Sequence, residues 1–305
     1  MNKIHRMLAL TACAALLSAC GPSAADGGSG SDDELVFAAI PSEESQSLRQ
    51  DYQPVIDLIA AETGKKVVFQ QATDYAAVIE GQRAGKIDIA KYGPFSYVLA
   101  RSKGVPATAV AAQVAEKGVE PGYRSYAITR PDSGITDLAG FRDKQVCFVD
   151  PTSTSGHLYP KAGLLQAGVD PEQGTRPVFS GGHDAAALAV AHGDCDAGFA
   201  YDTMVDRQLI EKGQLKPGEL RVLWRSPVIP SDPVALSDDL DPALREKITR
   251  ALGEQANSDR LRERGLCAGE CPIGDQNGWG FTGVDDSFYD GIRDVCRTTR
   301  DEQCS

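Results

Sequence analysis

The chain is short of positive charge. It carries 31 Lys and Arg against 43 Asp and Glu, a formal net charge of −12, which becomes −14 once Lys3 and Arg6 of the N-terminal leader are set aside. Nucleic acid needs a basic footprint, so that class of partner is excluded. Any anion bound here must be held by local donors and not by the field of the whole molecule. Long apolar runs are missing too: the best candidate, Met7 to Leu17, is too short for a permanent bilayer span. A Gly-x-Ser-x-Gly nucleophile elbow is also absent, so an exported hydrolase built on Ser155, a histidine and Asp202 lacks its usual signature. What is there is globular, with 42% apolar and 24% charged residues. About 270 residues beyond the leader suffice for two lobes.

The leader has a basic start (Lys3, His5, Arg6), an apolar middle and the ending Leu17-Ser18-Ala19-Cys20. This order reads as a secretory signal over 1–19. Its ending resembles a bacterial lipobox, which implies a lipidated Cys20 as the mature N-terminus. Residues 20–33 then form a Gly-, Ser- and Asp-rich tether of roughly 20 Å root-mean-square reach. Such a chain is expected at the outer face of the cell membrane, or in the periplasmic space.

Beyond Cys13 and Cys20, six cysteines remain: Cys147, Cys195, Cys267, Cys271, Cys296 and Cys304. An even number in an exported chain points to disulfides. Cys147 and Cys195 each fall at an expected strand and are paired with each other. The last four staple the C-terminal tail, with three connectivities open. A zinc site on those four is the alternative, but its spacing is loose; no metal is expected.

Apolar runs and helical periodicity alternate. Strands are expected at 35–40, 66–70, 87–90 and 107–113, with helices at 45–63, 75–84 and 95–102 between them. A long strand over 123–129 leads into a second region of the same rhythm, with strands at 145–149, 177–180 and 197–201 and helices at 156–167 and 184–192. Val222-Leu223-Trp224 carries the chain back, and helices at 241–254 and 258–264 follow. The expected architecture is α/β: lobe 1 from 34–125 plus 225–305, lobe 2 from 126–224, two crossings acting as a hinge, and a ligand between the lobes at strand carboxyl ends.

The most informative local pattern is Asp150-Pro151-Thr152-Ser153-Thr154-Ser155-Gly156-His157, which follows the apolar run Gln145–Val149. A strand there ends in a hydroxyl-rich turn that opens a helix. The first helical turn offers unpaired N–H groups and about half a positive charge. The hydroxyls of Ser153, Thr154 and Ser155 exceed what one N-cap requires and complete a cup for a small oxyanion.

With these segments in hand, the chain resembles the PhnD-like phosphate-, phosphite- and phosphonate-binding proteins of ABC transporters. The resemblance rests on Ile40-Pro41-Ser42-Glu43, Thr73-Asp74-Tyr75, Ile87-Asp88-Ile89-Ala90-Lys91-Tyr92-Gly93, Pro121-Gly122-Tyr123, Asp150 to Gly156, Gly182-His183-Asp184 and Ser226-Pro227-Val228-Ile229-Pro230-Ser231-Asp232-Pro233, in that order. It implies a two-lobed type II periplasmic-binding clamp that closes on its ligand and passes it to a permease and its ATPase, with no cofactor and no chemistry. It also implies a ligand set: Ser153, Thr154, Ser155 and His183 as donors to the oxyanion, Tyr75 and Tyr92 lining the opposite lobe, and Asp202 and Asp232 at positions that read a ligand ammonium. His157 is not required. The short cysteine-rich tail favours a monomer. A clamp that reports its ligand to a signalling receptor would look the same in sequence.

Overall fold

The first strand shows how the layers are built. In β1 (Glu34–Ala39), Leu35, Phe37 and Ala39 face one side and Ala38 the other, the period of two that a pleated strand imposes. Helix α1 (Ser45–Thr63) covers the first side with Leu48, Tyr52, Val55 and Ile59. The chain continues through β2 (Lys66–Gln71), α2 (Tyr75–Arg83), β3 (Ile89–Lys91), α3 (Pro94–Ser102) and β4 (Ala107–Val114). Val78, Ile79, Phe95 and Leu99 of α2 and α3 bury the second side.

Two short strands, β5 (Gly122–Tyr123) and β6 (Ser125–Thr129), replace the expected single strand over 123–129. The break falls at Arg124 because the two halves join different sheets. The second region holds β7 (Gln145–Phe148), α4 (Tyr159–Gln166), β8 (Arg176–Phe179), α5 (His183–His192), β9 (Ala197–Tyr201), the single turn α6 (Leu209–Glu211) and β10 (Arg221–Arg225). The chain then returns through β11 (Ile229–Pro230) and β12 (Pro233–Ser237), and ends in α7 (Pro242–Arg250), α8 (Ser258–Glu263), β13 (Gly280–Gly283) and α9 (Asp290–Thr299).

The strands form a six-stranded sheet in the order β13-β4-β12-β3-β1-β2 and a five-stranded sheet in the order β10-β6-β9-β7-β8. Both are mixed. The pairs β1–β2, β1–β3, β7–β8 and β7–β9 are parallel, whereas β12 and β6 run antiparallel to their neighbours. The two chain crossings between the sheets pair with each other: β5 and β11 form their own antiparallel ribbon, Tyr123 opposite Ile229.

This computed structural model describes residues 33–304 apart from 44 and 272. The expected leader, tether and Cys20 anchor lie outside the described residues. No helix among the described residues is long and apolar enough to cross a membrane. Cys147 and Cys195 are bonded, joining β7 to the residue pair before β9. Of the three tail connectivities the structure has Cys267–Cys271 with Cys296–Cys304, and those bridges occupy all four thiols of the alternative zinc site.

Candidate functional site

Strand β7 ends at Phe148, and the chain turns through Asp150, whose carboxylate accepts the Thr152 N–H at 2.7 Å. Ser153 caps the following helix by accepting the Gly156 N–H at 3.1 Å. The first turn, Thr154–Leu158, is a wide π-turn and not the α-helix expected from 156, a form that recurs at functional sites. Gly156 is required there: a Cβ at this position would lie 2.4 Å from the Val149 side chain. Ser153, Thr154 and Ser155 of this turn line the space between the sheets.

That space is a narrow cavity of about 10 Å³ lined by Ser153, Thr154, Ser155, His183, Tyr75, Tyr123 and Asp232, with Ser42, Tyr201 and Asp275 among the neighbours. That is about the room one water needs, so the two walls are closed tightly on one another. The walls come from both sheets and are already drawn together. Thr154 Oγ1 accepts the Phe95 N–H at 2.8 Å, and the His183 N–H reaches the Ser42 carbonyl at 2.8 Å.

His183 opens α5, and its Nδ1 accepts the Tyr201 N–H at 3.2 Å. The ring proton therefore sits on Nε2, which makes the imidazole a neutral donor. Burial pushes the His183 pKa down to about 3, so the ring stays uncharged at neutral pH. The phenol of Tyr75 interacts with Ser153, and that of Tyr123 with Ser155.

The opposite wall holds a buried ion cluster. Lys91, at the end of β3, places Nζ 2.6 Å from Asp232 Oδ2 and 2.5 Å from Asp275 Oδ2. Asp275 also accepts from Ser42 Oγ at 2.6 Å and Tyr52 OH at 3.0 Å. Asp232 differs. The Tyr123 phenol comes near its carboxylate, but no hydrogen bond closes on the buried Oδ1. Burial pushes the Asp232 pKa up to about 6 against the pull of Lys91, and Lys91 holds Asp275 below the usual carboxylate range despite its burial.

Six of the expected site residues thus meet at one cavity: Tyr75, Ser153, Thr154, Ser155, His183 and Asp232. Two do not. The Tyr92 hydroxyl donates to Gln82 Oε1 at 2.9 Å and its ring packs on Tyr97; it is a core residue of the α2–α3 layer. Asp202 accepts the Arg124 N–H on Oδ2 at 3.0 Å and the Thr203 N–H on Oδ1 at 2.9 Å. Its carboxylate is occupied by backbone and does not reach the cavity. Tyr123, Lys91 and Asp275 were not expected. Tyr123 and Lys91 stand in the segments that carry the resemblance, and Lys91 is the one charged side chain at the end of an apolar strand.

A second ionic contact links the lobes outside the cavity. The buried Glu43 carboxylate pairs with Lys212. Burial pushes the Glu43 pKa up to about 7 from an ordinary 4.5, and the nearby Asp51 up to about 6 for the same reason. A carboxyl raised in this way takes up a proton on folding. Its contribution to stability is present below about pH 4.5 and is lost as pH rises through about 7. Glu43→Gln is expected to flatten the fall in stability across that window. Urea unfolding at a series of pH values checks this, and an unchanged slope in the variant would exclude Glu43 as a source.

Comparisons with known proteins show the family. The family model described as "ABC transporter, phosphonate, periplasmic substrate-binding protein" matches residues 37–264. The chain is 44% identical to the phosphate-import protein PhnD of Mycolicibacterium smegmatis, covering 98% of each chain. It is 32% identical to the phosphonates-binding periplasmic protein of Escherichia coli, over 81% of this chain and 72% of that one. Among solved structures it superposes on a binding protein component of an ABC phosphonate transporter from Pseudomonas aeruginosa with a TM-score of 0.76 and 27% identity, covering 88% and 86% of the two chains. The two mixed sheets and the paired crossings between them are therefore those of a type II periplasmic-binding clamp, and the chain belongs to the family of phosphonate substrate-binding proteins of ABC transporters.

Proposed function

We propose that this protein captures a small phosphorus oxyanion, inorganic phosphate foremost, by lobe closure and delivers it unchanged to an ABC permease and its ATPase. One observation carries the reading: the Ser153–Ser155 turn, the neutral His183 donor and the Asp232 carboxylate line one narrow cavity between the two sheets. A tetrahedral guest needs donors from several directions, and hydrogen bonds to a charged group contribute about 1.5–3 kcal/mol each. Four or five of them, less ordering costs, reach the roughly −8 kcal/mol of micromolar binding. The name of the Mycolicibacterium smegmatis relative supports phosphate, and that of the Escherichia coli relative supports phosphonates. Binding without chemistry is supported by the bonds already made. His183 Nδ1 is engaged by Tyr201 and the Asp202 carboxylate by two backbone N–H groups, so neither is left to activate Ser155. The leader pattern supports anchoring through a lipidated Cys20.

Calorimetry with phosphate, phosphite, methylphosphonate and 2-aminoethylphosphonate tests the proposal; affinities no better than millimolar for all four would end it. Ser155→Ala is expected to weaken the bound oxyanion by about 1.5–3 kcal/mol. Unaltered affinity in that titration would remove Ser155 from the site.

A further inference from the structure

Outside the cavity, one stretch of chain grips the opposite lobe at several points. Residues 204–212 follow β9 of the five-stranded sheet as a π-turn, Met204–Gln208, that runs into α6. From it Arg207 Nη2 donates to the Gln276 carbonyl at 2.7 Å and to the Asn277 carbonyl at 3.3 Å. The Lys212 ammonium pairs with Glu43. These acceptors belong to the other lobe. Glu43 follows β1, and the 275–277 loop leads into β13 and is tied to α1 by a bond from the Gly274 N–H to the Asp51 carbonyl. The Glu43 side chain is 1% exposed, with Asp51 as a second carboxyl beside it, so the Lys212 ammonium offsets the burial of that charge. Neither Arg207 nor Lys212 lines the cavity.

A contact that crosses between the lobes without touching the guest stabilises the drawn-together form whatever fills the cavity. Affinity scales with the fraction of molecules in the binding-competent form, so such a contact strengthens the binding of every guest by one factor. Resting on the reading of closure around a phosphorus oxyanion, we infer that Arg207 and Lys212 are positioning residues that latch the closed clamp: they set how long a guest is held and take no part in choosing it. The two ends of the latch differ in kind. Arg207 grips backbone carbonyls, which side-chain substitution on the other lobe leaves in place. Lys212 depends on one carboxylate, so its share is removed from either side.

The test compares phosphate and phosphite on the purified protein by calorimetry, with the release of radiolabelled phosphate followed after a chase of unlabelled phosphate. It is run at pH 8, where the Glu43 carboxyl, pushed up to about 7 by burial, is charged. Lys212→Met leaves that carboxylate buried without its cation. It is expected to weaken both guests by the same factor, about tenfold, through faster release. Unchanged affinity overturns the inference, and so does a loss that alters the phosphate-to-phosphite ratio. A loss confined to the association rate and abolished by added salt also overturns it, because Lys212 is then a steering charge and not a latch. In a Glu43→Gln background the same Lys212→Met change is expected to cost about threefold or less, since the charge it served is gone; equal losses in both backgrounds overturn the pairing. Arg207→Met supplies an arm that does not depend on the Lys212 variant folding. It is expected to speed release of both guests alike, and an unchanged release rate overturns the role given to Arg207. Failure of the wild type to bind any phosphorus oxyanion ends the underlying reading instead.

Discussion

Asp275→Ala is expected to destabilise the protein by about 3–5 kcal/mol, a large share of the stability of an ordinary domain. The residue is buried in a loop after the Cys267–Cys271 bridge, yet it ties three distant elements together. Its carboxylate accepts from Lys91 on β3, from Ser42 after β1 and from Tyr52 on α1. Removing it strips the acceptor from two buried hydroxyls and half the counter-charge from a buried ammonium, and an unmatched buried donor costs about 1–3 kcal/mol. Its backbone matters separately: the Asp275 carbonyl accepts from Tyr201 OH at 3.1 Å and from Gln208, both on the other lobe. Alanine keeps that carbonyl. The loss should therefore appear as a lower urea midpoint with little change in the contacts that draw the lobes together. A midpoint shift worth under about 1 kcal/mol would mean that the cluster is already well solvated.

The second large effect is expected from the Cys147–Cys195 bridge. It closes a span of 48 residues, against 4 and 8 for the two tail bridges. In the chain-entropy account the stabilisation grows with the logarithm of the loop, and a loop of this size gives about 4 kcal/mol. The two cysteines are also buried, and the bridge restrains β7, the strand that leads into the Ser153–Ser155 turn. The double variant Cys147→Ala with Cys195→Ala should unfold at a markedly lower denaturant concentration than either tail-bridge double variant. If all three pairs of substitutions cost the same, loop length is not what sets the order.

The turn at 153–155 was readable because its chemistry is contiguous: hydroxyls, a glycine and a preceding apolar strand all fall within a dozen residues. The β-α rhythm of both lobes was readable for the same reason, since each strand and helix carries its own period. Other parts depend on partners far away in the chain. Asp275 meets Lys91 across 184 positions, and its neighbourhood of Cys, Gly, Asn and Gln has no period to announce a buried carboxylate. Strand β12 begins at Pro233 and β13 is bounded by Gly280 and Gly283, so turn residues mask both. The resemblance places Tyr92 in a wall of the site, but its ring goes into the α2–α3 layer. Tyr123 supplies a phenol at the cavity instead, and the reason lies in the crossing strand that holds it. Asp202 follows β9 and is claimed by nearby N–H groups, the ordinary fate of an aspartate at a helix start.

That crossing strand has a mechanical meaning. Because β5 and β11 are hydrogen-bonded to each other, the two connections are tied together, and in the proposed closure they twist as one, like the pin of a door. Tyr123 lies both on that pin and in the wall facing the guest. In the proposed closure, a guest that touches this phenol therefore bears directly on the paired connections and not only on the walls.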